Sequence, residues 1–153
     1  MNSVNGPEQQ GAMNQLPGVL AKAPTLLRKY TDFLSSFKAD GLVPERILEM
    51  CHLRIAWIHG LPLRGRGQDL GTHLDEALVE KLVSGDVSGF SAVEKAALAL
   101  AEKIPFAHHQ IEDAEVAAVS LHLKPSGCVS LLTALAFYDV NCRLTLACEG
   151  GKS

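Results

Sequence analysis

The chain has 153 residues, enough for one domain but not for two of ordinary size. Hydrophobic residues make up 47% of it and charged residues 20%, so we expect a buried core and no extensive disorder. The net charge of −3 gives no reason to expect nucleic acid or an anionic membrane surface as a partner. The four cysteines show no CxxC spacing that would indicate a disulfide framework or a zinc site.

The first 15 residues are rich in Asn, Gln and Gly, and they contain neither a basic start nor an apolar run. We predict that residues 1–15 form a flexible tail rather than a signal peptide, and that residues 16–149 form a single domain. The most apolar stretch, residues 129–138, is half as long as the roughly 20 residues that a bilayer span needs. We therefore expect a cytoplasmic protein with no membrane partner.

Apolar residues recur at helical spacing along most of the chain, which predicts about six helices. In chain order, the predicted helices cover residues 24–39, 44–59, 74–83, 92–104, 111–121 and 125–147. Ser91 and Glu94 have the spacing of a capping box at the start of the fourth helix. Residues 63–68 contain two glycines and no periodicity, which predicts a loop. Because no alternating run is long enough for a strand, we predict an all-α fold.

The sixth predicted helix is apolar around much of its circumference. Two explanations remain open: the helix lies at the centre of a small domain, or it also contacts another subunit. We expect a homo-oligomer on this basis and on the basis of the resemblance described next.

The second predicted helix contains a glutamate at position 49, the run Leu-Arg-Ile-Ala-Trp at 53–57 and a glycine at position 60. It resembles the signature helix of the carboxymuconolactone decarboxylase family, which includes the alkylhydroperoxidase D-like proteins. The run Phe-Ser-Ala-Val-Glu-Lys-Ala-Ala-Leu at 90–98 resembles the start of the family's next helix, and Asn-Cys-Arg at 141–143 resembles its terminal helix. The resemblance spans about residues 24–143 and implies an oligomeric, alkylhydroperoxidase D-like helical domain.

One departure from the family pattern bears directly on activity. Peroxidase members carry a CxxC pair and then a histidine straight after the glycine, because their chemistry needs a thiolate, a resolving thiol and a proton relay. Here Leu61 and Arg64 stand at the cysteine positions, and Gly67 or Gln68 stands at the histidine position. We therefore predict that thiol peroxidase activity is absent, although the family label alone would suggest an antioxidant enzyme.

Glu49, His52 and His59 lie close to one face of the predicted helix. On the family scaffold, Glu49 and His59 would share proton transfers, with His52 beside them, while Arg64 or Arg66 would bind a substrate carboxylate. This hypothesis predicts a lyase that decarboxylates or isomerises a small lactone or carboxylate without a cofactor, a metal or a redox thiol. The alternative is a catalytically degenerate member that binds a ligand or partner, in which Glu49 forms an ion pair and the histidines are packing residues.

Other motifs give weaker hypotheses. Glu49 and His52 have the spacing of half a di-iron carboxylate site, but the sequence has no second Glu-x-x-His. The adjacent His108 and His109 are more typical of a solvated loop than of a metal site. The Gly-x-Gly at 65–67 follows no predicted strand, so it does not indicate a dinucleotide loop. Cys142 and Cys148 would lie roughly 9 Å apart along one helix, too far to form a disulfide.

Overall fold

The computed structural model of the chain describes residues 18–61 and 74–149, and every regular element within these ranges is helical. The α-helices are α1 (Pro24–Ala39), α2 (Glu45–Ile58), α3 (Glu76–Ser84), α4 (Ala92–Lys103) and α5 (Asp113–Glu149). Short 3₁₀ helices at Gly18–Lys22 and His108–Gln110 precede α1 and α5. The predicted all-α fold is confirmed, whereas the predicted tail and the predicted loop at 63–68 lie outside the described residues.

Local side-chain chemistry accounts for where the helices begin and end. A proline occupies the first turn of α1, where a missing N–H costs nothing. Asp75 caps α3 by accepting a hydrogen bond from the Leu78 N–H, and Gly85 ends that helix in the left-handed conformation. The capping box predicted at α4 is confirmed, because Ser91 and Glu94 each accept a hydrogen bond from the other's backbone N–H.

A break divides α5 into two arms. Lys124 has non-helical angles, φ 62° and ψ 166°, and it precedes Pro125, whose ring disfavours helical geometry in the residue before it. The first arm (113–123) and the second arm (125–149) correspond to the fifth and sixth predicted helices. By length and composition alone, Asp113–Cys148 is also a candidate membrane span, although the core helices of soluble proteins pass the same test.

The central helix of the domain is α2, in which nine of 14 residues are buried. It packs against α3, α4 and α5, while α1 packs against α5. The second arm of α5 contributes Leu131, Ala134 and Leu135 to the core that it shares with α2. Any polar side chain on the buried faces of α2 is therefore surrounded by other helices rather than by water.

The second arm buries one stripe of apolar residues in the core, so central packing accounts for only part of its apolar character. Val129, Ala136, Val140 and Ala147 are exposed. Their spacing of i, i+7, i+11 and i+18 places them in one stripe, which we call the outer face of α5. The last helix packs against α1, α2 and α4, and these contacts leave the outer face uncovered. Subunit contact stays the prediction for this face.

Candidate functional site

Three of the five predicted site residues lie within the described part of the chain. Glu49 and His52 are buried residues of α2, and His59 caps the carboxyl end of that helix with its side chain also buried. Arg64 and Arg66 lie outside the described residues. The three described residues contact different neighbours and form two separate clusters.

The inner cluster consists of Lys38, Glu49, His52 and Tyr138. Lys38 Nζ on α1 lies 3.4 Å from Glu49 Oε1 and 3.1 Å from Glu45 Oε1, so one ammonium group pairs with carboxylates on successive turns of α2. The Glu49 carboxylate is buried, whereas Lys38 is partly in solvent. This pair favours the alternative hypothesis, in which Glu49 forms an ion pair, and its partner is Lys38 on a neighbouring helix.

His52 stacks on Tyr138 of α5, with ring centroids 4.3 Å apart and an interplanar angle of 12°. Burial, reinforced by the charge of Lys38, lowers the pKa of His52 to about 4. Burial also raises the pKa of the Tyr138 phenol, and nearby Cys51 and Glu49 add to that rise. Both rings are therefore uncharged at neutral pH. Burial likewise raises the pKa of the Cys51 thiol, which keeps that sulfur protonated rather than nucleophilic.

The outer cluster consists of His59, Asp139, Arg143 and Phe106. His59 Nε2 lies 2.6 Å from Asp139 Oδ1, and Arg143 Nε donates a 3.0 Å hydrogen bond to the other carboxylate oxygen, Oδ2. One carboxylate thus contacts an imidazole through one oxygen and a guanidinium through the other. Such a pairing fixes the orientation of the imidazole ring.

The turn after α4 completes the outer cluster. A second guanidinium nitrogen of Arg143 donates to the backbone carbonyl of Pro105. The Phe106 ring lies 5.0 Å from the His59 ring and 5.2 Å from the Arg143 guanidinium carbon, yet it remains 61% exposed. The outer cluster therefore joins three segments of the chain and borders solvent at Phe106.

Glu49 and His59 are too far apart along α2 to act on one small molecule together. Glu49 and His59 are ten residues apart, and a rise of 1.5 Å per residue separates them by about 15 Å along the helix axis. The predicted helical stripe contained no information about this axial distance. The structure consequently gives no geometry in which Glu49 and His59 both contact a lactone-sized substrate.

Several partners in these clusters were not predicted: Lys38, Phe106, Tyr138 and Asp139. Asp139 had a detectable signal, because it and Arg143 are the only charged residues between positions 125 and 148 and they are four residues apart. Phe106 and Lys38 had none, since their roles depend on which helices become neighbours.

The remaining motifs make no cluster within the described ranges. His108 and His109 are exposed, and residues 18–61 and 74–149 contain no group of three His, Cys, Asp or Glu side chains that could hold a metal ion. None of the four cysteines forms a disulfide, and three of them are buried. Asn141 accepts a hydrogen bond from the Tyr30 hydroxyl and so links α5 to α1.

The fold and the site together define an all-helical domain with a partly buried, hydrogen-bonded His–Asp pair at the end of its central helix. No protein-family model, curated protein or solved structure matches the chain. The resemblance to the carboxymuconolactone decarboxylase family therefore enters the following section only as a proposal.

Proposed function

We propose that the chain is an acid–base enzyme on a carboxymuconolactone decarboxylase-like scaffold, acting on a small lactone or carboxylate without a redox thiol. The observation that carries this proposal is the 2.6 Å contact between His59 Nε2 and Asp139 Oδ1. Histidine changes its protonation state near neutral pH, and a carboxylate partner fixes its orientation and its tautomer. Both are requirements for moving a proton to or from a carbon atom.

In the proposed reaction, the contact with Asp139 gives the two nitrogens of the His59 imidazole different roles. Nε2 carries the hydrogen that it donates to Asp139, so Nδ1 is the nitrogen that exchanges a proton with substrate. In an isomerisation, Nδ1 takes a proton from the carbon beside a carbonyl, the C–H electron pair forms an enolate, and the imidazolium returns the proton to another carbon. In a decarboxylation, the bond to the carboxylate breaks, CO₂ leaves, and a protonated His59 delivers its proton to the carbon that gains the electron pair.

Substrate binding is assigned to Arg64 and Arg66, which follow His59 by five and seven residues. A guanidinium binds a carboxylate through two parallel hydrogen bonds, which suits an acid substrate. In this proposal Glu49 and His52 have no direct contact with substrate, because they lie about 15 Å and about 10 Å from His59 along the helix axis. Their proposed role is to hold α1 and α5 against α2.

The test compares variants of the outer cluster in a turnover screen against a panel of lactone acids and unsaturated carboxylates. His59→Gln and Asp139→Asn should each lower turnover at least 100-fold, which is the lower end of what a general acid–base group contributes. His109→Gln is the matched control, since it removes an exposed histidine from the same protein. Turnover that survives both outer-cluster variants, or a panel without any turned-over compound, contradicts the proposal.

The outer face of α5 supports a second candidate function, self-association. Between positions 125 and 148 the only charged residues are Asp139 and Arg143, and they pair with each other. Because these charges balance, the outer face of α5 is not repelled by the same face of a second copy. Its alanines allow the two α5 helices to approach closely. We propose that two copies of this chain pack through Val129, Ala136, Val140 and Ala147.

The mass in solution tests this candidate. Light scattering coupled to gel filtration should give a multiple of the 16.4 kDa chain mass for the unmodified protein and a monomer for Ala136→Arg. Leu121→Arg is the control, because it adds the same charge at an exposed position on the first arm, away from the outer face. A monomeric unmodified protein at micromolar concentration, or an assembly that persists in Ala136→Arg, contradicts self-association through this face.

A further inference from the structure

We propose that Arg143 is a positioning residue that keeps the Asp139 carboxylate oriented towards the His59 imidazole. The inference rests on the proposed function for its kinetic consequence, but its spectroscopic test does not depend on any turnover. It concerns a residue of α5 that entered the sequence analysis only as part of the run Asn-Cys-Arg at 141–143.

The argument begins with the rotation of the Asp139 carboxylate. An aspartate side chain on a helix has two rotatable bonds, so a contact at one oxygen alone leaves the plane of the carboxylate adjustable. Here His59 Nε2 contacts Oδ1 and Arg143 Nε donates to Oδ2, so the two contacts together fix that plane. If Arg143 is removed, Asp139 can turn away from the imidazole.

Arg143 can do this because its own guanidinium is held in place. It donates to the Pro105 carbonyl and stacks over the Phe106 ring at 5.2 Å, in addition to its bond with Asp139. The turn that carries Pro105 and Phe106 also packs on the imidazole, with ring centroids 5.0 Å apart. One guanidinium therefore connects the carboxylate and the aromatic neighbour of the same histidine.

Two other roles for Arg143 agree less well with these contacts. As a substrate clamp it would bring a second carboxylate beside Asp139, whose negative charge already faces the guanidinium. As a surface ion pair it would resemble Arg46 and Glu94, an exposed 3.2 Å pair that contacts no histidine in the described part of the chain. The distinguishing feature of Arg143 is that its carboxylate partner also bonds a buried imidazole.

The test records nitrogen NMR shifts of the histidines in the full chain, at mildly alkaline pH where imidazoles are neutral. His59→Gln identifies the His59 signals by their loss. The unmodified protein should show one tautomer for His59, with Nε2 protonated and Nδ1 unprotonated. In Arg143→Gln the two nitrogens should shift towards each other as the tautomers mix, whereas Arg143→Lys should retain most of the single-tautomer signature because its ammonium still reaches Asp139.

The controls separate positioning from a general effect on folding. Arg46→Gln, which breaks the exposed pair with Glu94, should leave the His59 signals unchanged. If Arg143→Gln does not fold by circular dichroism, Arg143→Met replaces it, because methionine keeps an aliphatic stem against Phe106. A single-tautomer signature in folded Arg143→Gln or Arg143→Met overturns the proposal, and so does an identical loss of signature in Arg143→Lys.

The kinetic consequence applies to whichever substrate the turnover screen identifies. Arg143→Gln should lower kcat at least tenfold with KM changed less than twofold, because the substrate does not contact Arg143. A larger change in KM than in kcat would instead assign Arg143 to substrate binding. If no compound is turned over, the proposed function fails while the NMR result still decides whether Arg143 positions the pair.

Discussion

The histidines of the inner and outer clusters belong to the same central helix and contact consecutive residues of α5. Their partners on α5 are nevertheless chemically different. His52 stacks on the buried ring of Tyr138 and has a pKa lowered to about 4. His59 bonds the carboxylate of Asp139 and has as its aromatic neighbour Phe106, which is largely exposed. The comparison teaches that the chemistry of a histidine on a helix depends on its partner across the interface, here an uncharged ring or a carboxylate.

The largest expected difference in stability between the clusters comes from removing their aromatic side chains. Tyr138→Ala removes a buried ring from the interface of α2 and α5, and it should lower the free energy of unfolding by about 3–5 kcal/mol. Phe106→Ala removes an exposed ring and should cost less than about 1 kcal/mol. Urea denaturation of both variants at neutral pH measures the difference. Equal losses would show that the two rings do not belong to different environments.

The second expected effect is a dependence of stability on pH that arises from His52. In the unfolded chain His52 has its ordinary pKa of 6.5, whereas in the folded protein the pKa is about 4 because of burial and Lys38. As pH falls from 6.5 to 4, the unfolded chain binds a proton that the folded protein excludes, so stability is lost in this window and is fully present above it. The loss from this group reaches up to about 3 kcal/mol at the acid end.

His52→Gln isolates that contribution, since other groups titrate in the same range. The groups around His52 are Lys38, Glu49 and Tyr138, and all of them stay in place in the variant. Urea denaturation at pH 7.5 and pH 5 should show a smaller acid-induced loss for His52→Gln than for the unmodified protein. The control is His109→Gln, which removes an exposed histidine and should retain the full loss. A pH dependence unchanged in His52→Gln would contradict the burial of a neutral imidazole.

The smallest expected change in stability comes from replacing one carboxylate in each cluster. Glu49→Gln removes the charge that pairs with Lys38 and should lower stability by about 1–2 kcal/mol, a modest value because Lys38 is partly in solvent. Its turnover should stay within a few fold of the unmodified protein. Asp139→Asn should show the reverse pattern, a small loss of stability with a large loss of turnover. Thermal denaturation and the turnover screen together check both variants, and a loss of turnover confined to Glu49→Gln would move the active site to the inner cluster.

Most of the secondary structure could be predicted because its determinants are local. The capping box at Ser91 and Glu94 acts on residues within one turn, and the structure confirms it. Gly85 at the end of α3 and Pro125 at the break in α5 likewise act on their immediate neighbours. The site was only partly predictable. Helical periodicity placed Glu49, His52 and His59 near one face of α2, but it contains no information about which residues of other helices oppose them.

The sequence by itself determined that this protein is all-helical, where its helices end, and which polar residues lie on the face of α2 that becomes buried. These properties follow from hydrogen bonds and periodicities that span a few residues. Only the tertiary structure decided that α2 rather than the last helix is central, that Lys38 pairs with Glu49, and that Asp139 pairs with His59. Those outcomes depend on contacts between residues that are far apart in the chain, such as His59 and Asp139, whose positions differ by 80.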